Sequence, residues 1–469
     1  MIAWLEGALA DLNALVFTKV PIFGVDITLI VIWLALPMVI FTLWLGFINI
    51  RGFRYSLRIL SKPGHNIDAP GQISQFGALT TALSGTVGLG NIAGVAVAIA
   101  TGGPGAAFWM FVIGFFAMTL KCVEVTLGHK YRVVNSNGTI RGGPMYALKN
   151  GLAARGWPKI GLVLGGFYAF FALGGAIPLV QVNQSFAQVQ NVTGFESGAG
   201  YGAILAVLVG FVVIGGVRWL ARVTSLLVPA MAAIYLIGVF AIIFMNFAEL
   251  PTAIATIVGA AFSGEAAAGG VLGAFVVGMQ RAVYSSEAGV GSAVIAHAQA
   301  RTHEPASEGL VALLEPFIDT VIVCSLGAIA IVLAGTHQSG LDDISITSAA
   351  FSQISSWFPI LLAIAVFLFA YSTLCAWGFY GLQAWGYLVG EGPIRNTIYK
   401  ILYVLMLPIG SVLPVQAVFD LVDSAFFLMA IPNVIAIYIF GPEIKREITG
   451  YFERHRLTEE ETASWKPAH

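Results

Sequence analysis

The sequence predicts an all-α protein that crosses a membrane many times. Three observations carry this: a mostly apolar composition, eleven long apolar runs joined by connectors of alternating charge, and two glycine-interrupted segments in oppositely directed halves. Of 469 residues, 58% are hydrophobic and 10% charged, whereas a soluble domain carries about 25% charged residues. Only 23 Lys and Arg and 24 Asp and Glu are present, too few to solvate the surface of so long a chain, which excludes a soluble enzyme. The 54 glycines follow no period, so collagen is excluded, and the apolar excess excludes coiled coil and disorder. Mean hydropathy is +0.86 and the pI about 6.7. With a net charge of −1, no nucleic-acid surface is expected. Cys122, Cys324 and Cys375 lie in apolar runs at unrelated spacings, forming neither a disulfide framework nor a zinc pattern. The start carries Glu6, Asp11 and Lys19 without a basic run, so no cleavable signal peptide is expected.

A span needs about 20 mostly apolar residues. Such runs lie near 27–48, 72–100, 105–130, 160–190, 200–217, 223–247, 270–298, 309–335, 357–389, 396–412 and 416–440. They are continuous, unlike the ten-residue alternations of a membrane barrel. Basic residues follow every odd-numbered run. They are Arg51, Arg54, Arg58 and Lys62; then Arg132, Arg141, Lys149, Arg155 and Lys159; then Arg218 and Arg222; Arg301; Arg395 and Lys400; and Lys445, Arg446, Arg454 and Arg456. The alternate connectors carry Thr101-Gly-Gly-Pro-Gly105, Glu196, Glu249, Glu265, Asp342 and Asp343, without Lys or Arg. The positive-inside rule then places the N-terminus outside and the C-terminus in the cytoplasm.

The second run contains Ser84-Gly-Thr-Val-Gly-Leu-Gly-Asn91, and 201 residues later the seventh contains Ser285-Ser-Glu-Ala-Gly-Val-Gly-Ser292. The serine and both glycines of Gly-x-Gly coincide. The seventh run stands five places after the second, an odd step, so the two cross in opposite directions. Glycine weakens a helix by about 1 kcal/mol relative to alanine, and an unwound turn frees backbone groups that lipid does not tolerate unless they line a cavity. Matched interruptions in inverted halves point to a transporter binding site. Close helix packing is the alternative, and Gly90 and Gly94 fit it. Gly88-Leu-Gly-Asn-Ile-Ala93 also matches a dinucleotide pattern, but no βαβ unit surrounds it. The chain divides into an N-terminal segment (1–71), two five-helix repeats (72–250 and 251–440) and a polar, helix-prone cytoplasmic tail (441–469).

Several motifs resemble those of the alanine or glycine:cation symporters. They are Gly88-Leu-Gly-Asn-Ile-Ala-Gly94, Gly102-Gly-Pro-Gly-Ala106 with Phe108-Trp-Met110, Gly142-Gly-Pro-Met145, Ser285-Ser-Glu-Ala-Gly289 and Ala370-Tyr-Ser-Thr373. The resemblance runs from about residue 70 to 432. It implies a sodium-coupled carrier of small neutral amino acids in a bacterial or archaeal cell membrane, with a LeuT-like fold: two inverted five-helix repeats preceded here by one extra span. The count of eleven runs agrees with that arrangement.

A zwitterionic substrate needs an anion site beside a cation site. A half-helix starting at Gly88 and Gly90 offers free N–H groups and a positive dipole end to a carboxylate. The half-helix ending at Val283 and Tyr284 offers carbonyls to an ammonium. No charged side chain is then required at a depth where isolated ions are costly. Thr86 sits in the first interruption and joins the substrate set. By resemblance, the carbonyls of Ser84 and Val87 face the hydroxyls of Ser372 and Thr373 across a sodium ion, a hard cation that takes oxygen ligands. Back-bonding of both hydroxyls to their own helix is the alternative. Asn91 is open to two readings, a second sodium ligand or an interhelical hydrogen bond. Gln181 sits at the substrate site by resemblance, and neighbouring Asn183 is open to an interhelical amide bond. Trp377, one turn beyond Thr373, and Tyr284 would limit side-chain size, or simply pack. Arg281 and Glu287 flank the second interruption as gating residues or as a structural pair. Lys121 and Glu124 form an expected i,i+3 pair; Glu315 and Asp319 share a face, and Asp420 and Asp423 stand three apart.

Sodium is the expected coupling ion and no other cofactor is expected. The partners are a small neutral amino acid, sodium and the lipid bilayer, and no pattern specifies an oligomeric state. Glutamine as substrate and proton coupling through Glu287 or Asp319 remain alternatives within the fold. An ion channel would need a filter repeat, and an enzyme a nucleophile–base or metal constellation. His129, His297 and His303 lack ligand spacing, and no ATP-binding loop is present. The membrane potential supplies about 2.3 kcal/mol per charge per 100 mV, enough to concentrate a neutral solute about fifty-fold.

Overall fold

The computed structural model describes residues 2–22, 25–61, 68–263, 270–341, 344–411 and 416–456. Connector residues Lys62, Glu265, Asp342 and Asp343, and the tail beyond residue 456, lie outside the described residues. The architecture is helical, and its described β-structure is limited to two short hairpins and one isolated parallel bridge between Ile73 and Ala300.

Helix α1 (Ile2–Val16) leads through the hairpin β1 (Lys19–Ile22) and β2 (Val25–Thr28) into α2 (Leu29–Trp44). Hydropathy had marked only α2. Past Trp44 the chain turns through Gly46 (φ 62°) and Phe47 (φ 56°) into α3 (Ile48–Arg51) and α4 (Phe53–Ser61), bent by 67° from α2. The first basic connector is therefore partly helical. The next predicted span is two helices, α5 (Gln75–Thr86) and α6 (Leu89–Gly102), meeting at 43°. Ser74 starts α5 by accepting the Gly77 N–H at 3.0 Å, which satisfies one of the unpaired donors at a helix start.

Helix α7 (Gly105–Lys130) is followed by the hairpin β3 (Val133–Val134) and β4 (Ile140–Arg141), and by α8 (Pro144–Ala154). The predicted span 160–190 is α9 (Pro158–Gly175) and α10 (Leu179–Thr193), interrupted just before Pro178, whose ring removes a backbone donor. The predicted spans 200–217 and 223–247 form one helical run, α11 (Gly198–Met245), broken at Gly216 (φ 72°, ψ −172°). Arg218 and Arg222 thus lie in helix and not in a loop. Helix α12 (Leu250–Phe262) precedes the second predicted broken segment, α13 (Gly270–Ser286) and α14 (Ser292–His297).

The predicted span 309–335 is composite. It comprises α15 (Pro305–Ala312), the short turn α16 (Leu314–Pro316), a π-helical stretch at Phe317–Cys324 and α17 (Ser325–Leu333). A π stretch widens a helix and often marks a functional site. Helices α18 (Ile344–Ser352), α19 (Phe358–Val389), α20 (Pro393–Gly410) and α21 (Gln416–Arg454) complete the chain. Proline opens α8, α9, α12, α15, α19 and α20, where its missing N–H costs nothing. Helix α21 runs unbroken past Gly441, so the expected tail continues the last span and the boundary at 440 falls inside a helix. Six helices are long and apolar enough to cross a membrane among the described residues, or eight if each bent pair is one span.

Glycine shapes the interior in two opposite ways. A Cβ on Gly278 of α13 would lie 2.7 Å from the Trp109 Cβ of α7, so these two helices touch through a missing side chain. Gly90 and Gly94 have nothing described within 4 Å of the corresponding point. The close-packing alternative therefore does not account for them; they border open space.

One end of the bundle is tied by polar contacts. Lys130 and Arg155 reach Glu443 at 3.1 and 3.0 Å, Arg454 pairs with Glu304 at 2.8 Å, and Lys445 donates to the Trp44 carbonyl at 3.2 Å. Arg132 donates to the carbonyls of Ala298, Ala300, Pro70 and Thr302 at 2.5–3.0 Å. Burial pulls its guanidinium down to about 10, so it stays charged at neutral pH. Gly278→Ala should destabilise the detergent-purified protein by about 1–3 kcal/mol through overpacking, whereas Gly94→Ala should stabilise it by up to about 1 kcal/mol through helix propensity. Thermal unfolding followed by tryptophan fluorescence checks the pair.

Candidate functional site

The two helix breaks lie at the matched glycine motifs. In the first, α5 ends at Thr86, and Val87 (φ −77°, ψ 92°) and Gly88 (φ −136°, ψ −160°) are extended before α6 begins. The Val87 N–H still reaches the Leu83 carbonyl at 2.7 Å and the Asn91 N–H the Gly88 carbonyl at 3.1 Å. Among the described residues no hydrogen bond reaches the N–H of Gly88, and the first N–H groups of a helix have no partner within it. Thr86 is buried and its hydroxyl turns back to the Ala82 carbonyl at 3.3 Å.

Helix α19 passes this break. The Thr373 hydroxyl donates to the Ser84 carbonyl at 3.0 Å, and the Ser84 hydroxyl donates to the Ser372 carbonyl at 2.7 Å. A Cβ on Gly88 would lie 3.1 Å from the Thr373 Oγ1. Ser84, Gly88, Ser372 and Thr373 are thus brought together, all of them buried. Back-bonding is realised for Ser372, whose hydroxyl donates to the Phe369 carbonyl at 2.9 Å. The Thr373 hydroxyl instead reaches across to another helix.

Asn91, 1% exposed, has neither amide atom hydrogen-bonded among the described residues. The interhelical bond considered for it is absent there. The Gln181 Oε1 is likewise buried without a described partner, while Asn183 makes its interhelical contact, to the Gly410 carbonyl at 3.4 Å.

Aromatic rings connect the second break to α19. Tyr284 of α13 packs edge-on to Phe427 at 4.6 Å and parallel to Phe426 at 6.3 Å between ring centres. Trp377 lies 6.1 Å from the same Phe426 and faces Gly175, where a Cβ would be 3.5 Å away. The Tyr284 hydroxyl points to Asp423 at 3.5 Å. Arg281 lies 5.8 Å over the Tyr284 ring and acts electrostatically on Asp423.

Arg281 and Glu287 form no ion pair with one another in the described structure. Glu287 adopts a left-handed φ of 49°, strained for a residue with a side chain, and its carboxylate accepts the Ser292 hydroxyl. Its N–H binds the Val283 carbonyl at 3.0 Å, so Val283 offers one remaining lone pair rather than a free carbonyl.

Beside the second break stands a buried charge network that local spacing did not reveal. The Lys121 ammonium lies 3.3 Å from Glu124 and 3.7 Å from Glu315, and all three side chains are fully buried. The expected i,i+3 pair exists, but as one link of a longer chain. The Glu124 Oε2 accepts the Gly289 N–H and the Asn433 amide, both at 3.0 Å, and Asn433 also donates to the Gly289 carbonyl at 2.9 Å. His297 sits between Glu308 at 2.6 Å and Glu315 at 2.5 Å. With a carboxylate at each ring nitrogen, either the imidazole is doubly protonated or a carboxyl holds the proton. Gln75 of α5 donates to Glu308 at 3.0 Å. In sequence His297 is tested only for ligand spacing and Asn433 is not singled out, because their partners stand 11 to 309 residues away.

Broken helices in an apolar bundle, meeting at hydroxyls, carbonyls and unpaired amides, define a membrane transport protein. The solved structure of MhsT in complex with L-phenylalanine has the same fold, at TM-score 0.59 and 15% identity over 81% of this chain and 92% of that one. This is the LeuT-like fold implied by the sequence motifs. The chain belongs to the sodium:alanine symporter family, whose model matches residues 13–464. Its relatives include the sodium/alanine symporter AgcS of Methanococcus maripaludis, 37% identical over 88% of this chain and 91% of that one. The probable sodium/glutamine symporter GlnT of Bacillus subtilis is 34% identical over 88% and 85%. The protein is a cation-coupled amino-acid symporter and not an enzyme.

Lys121→Met should destabilise the protein by about 3–5 kcal/mol, because it strands buried carboxylates. Adding Glu124→Gln should recover part of that loss. Denaturant unfolding in mixed micelles measures both, and equal losses in the single and double variants would refute the coupling.

Proposed function

We propose that the chain carries alanine or glycine into the cell together with sodium, by alternating access of the two breaks to either side of the membrane. The observation that carries this reading is the contact of Thr373 with the Ser84 carbonyl across the first break. The oxygens of Ser84, Val87, Ser372 and Thr373 form an uncharged set suited to a hard monovalent cation. Ser372 joins it by releasing the Phe369 carbonyl. The open N–H groups at Gly88 and the start of α6 receive the substrate carboxylate, and the carbonyl end of α13 near Val283 and Tyr284 receives its ammonium. Gln181 and Asn91, with unpaired amide atoms, complete the polar lining. Asn91 takes either a second sodium or the substrate. Tyr284, Phe426 and Trp377 bound the space and favour a small side chain.

The topology proposed is eleven spans, one followed by two inverted sets of five. A straight α11 of 48 residues would be about 72 Å long, more than twice the roughly 30 Å hydrocarbon core. The break at Gly216 accordingly divides it into two spans. The ends of the first, third, seventh and eleventh spans meet through Trp44, Lys130, Ala298 and Glu443, as the charge alternation requires. We assign that end to the cytoplasm, and Arg132 closes it in the conformation described.

The relative GlnT supports a second reading, glutamine in the same site. Alanine uptake into proteoliposomes should require an imposed Na⁺ gradient and persist without an H⁺ gradient. Thr373→Ala should raise the half-saturating Na⁺ concentration at least about tenfold, the value of one ligand bond to a charged group, while Thr373→Ser stays near wild type. Uptake driven equally by H⁺ alone would overturn sodium coupling; glutamine uptake without alanine uptake would overturn the substrate. Trp377→Val should let glutamine inhibit alanine uptake at least about tenfold better, as a pocket enlarged by several methylene volumes would. Competition with unlabelled glutamine reads this out.

A further inference from the structure

A cavity of about 830 Å³ opens between the bent segment α2–α4 and the far end of α21. Arg51, Arg54, Lys445 and Arg456 line it against a single acid, Glu453. Arg51, Arg54 and Arg456 pair with no carboxylate among the described residues. Two of the cations are held in place by aromatic rings: Arg51 lies 5.6 Å over Phe452 and Lys445 5.0 Å over Trp44. The floor is apolar, formed by the buried Leu45, Ile48 and Ile448. Beside it, Leu43, Phe47 and Ile50 are 40–60% exposed.

The position in the fold explains this mixture. Helix α2 is an apolar membrane helix, and the 67° bend after Trp44 lays α3 and α4 away from it. Helix α4 turns Phe53, Leu57 and Leu60 onto the core and leaves Arg54 exposed, the pattern of a helix lying in a membrane interface. The cavity therefore spans the boundary between hydrocarbon and headgroup, on the side of the basic connectors.

We propose that this cavity is a binding site for an anionic phospholipid. The phosphate faces Arg51, Arg54 and Arg456, whose planar guanidinium groups match phosphate oxygens in a bidentate manner. The acyl chains follow Ile50 and Leu43 outward. Free phosphate would use the charges but leave the apolar floor and the exposed strip unused, whereas a phospholipid uses both. Basic pockets between helices on the cytoplasmic side are the recognised form of such sites. The proposal rests on the membrane placement of α2 and is independent of the transported substrate.

The test is native mass spectrometry of the delipidated full-length protein, titrated with dioleoyl phosphatidylglycerol, dioleoyl phosphatidylcholine or inorganic phosphate. Phosphatidylglycerol should bind at least about tenfold more tightly than phosphatidylcholine, and weaken as ammonium acetate rises. The pair Arg51→Gln and Arg54→Gln should lose about twenty-five-fold, near fivefold per cation removed at a membrane surface. The pair Arg51→Lys and Arg54→Lys, which keeps the charge but not the bidentate fork, should lose less than the Gln pair and controls for folding. Equal affinity for the two lipids, no response to salt, or no loss in the Gln pair would overturn the site. Inorganic phosphate displacing the lipid completely at the same concentration would overturn the lipid in favour of a soluble anion.

Discussion

A backbone that unwinds inside an apolar bundle must find partners for the N–H and C=O groups it releases, since no solvent supplies them. This chain meets the demand twice, and differently each time. At the second break the protein supplies the partners: Glu124 and Asn433 bind the N–H and C=O of Gly289, and Ser292 holds the strained Glu287. At the first break the N–H of Gly88 is left without a described partner and glycines border open space. One break is packed by the protein's own side chains, and the other borders open space among the described residues.

Filling the second break has consequences that spread. Glu124 is a carboxyl buried away from water and held by Lys121; Lys121 also touches Glu315, which shares His297 with Glu308. Gln75 carries the chain into α5, the helix that leads to the first break. Removing one partner of such a network strands a charge, so its members stand or fall together. A continuous line of polar contacts therefore runs from the packed break to Gln75, the first residue of the helix that ends at the other break. It gives the two halves a physical means of responding to one another, provided that the network has a second arrangement.

Much of the site was legible because its chemistry is local. Glycine weakens a helix locally, and both breaks fall on Gly-x-Gly motifs. The pairing of Thr373 with the Ser84 carbonyl came from family resemblance, since nothing in their spacing of 289 residues announces it. Arg281 and Glu287 looked like partners because they flank the same turn. The left-handed backbone at Glu287 turns its carboxylate to Ser292, while Arg281 lies over Tyr284, toward Asp423. The loop expected around Arg218 and Arg222 is absent because a single glycine conformation at Gly216 turns the chain within a helical run.

Composition, hydropathy and glycine placement settled the class of fold and the location of its two interruptions. Each is a one-dimensional property: burial needs apolar residues in runs, and unwinding needs residues that weaken a helix. Tertiary structure alone decided which interruption is sealed and which is open, and which charges balance one another. It also decided that the polar tail extends the last span and meets the first basic connector around a cavity. Those outcomes depend on distances between residues far apart in the chain, where a carboxylate 3 Å away stabilises a cation and one 10 Å away hardly does.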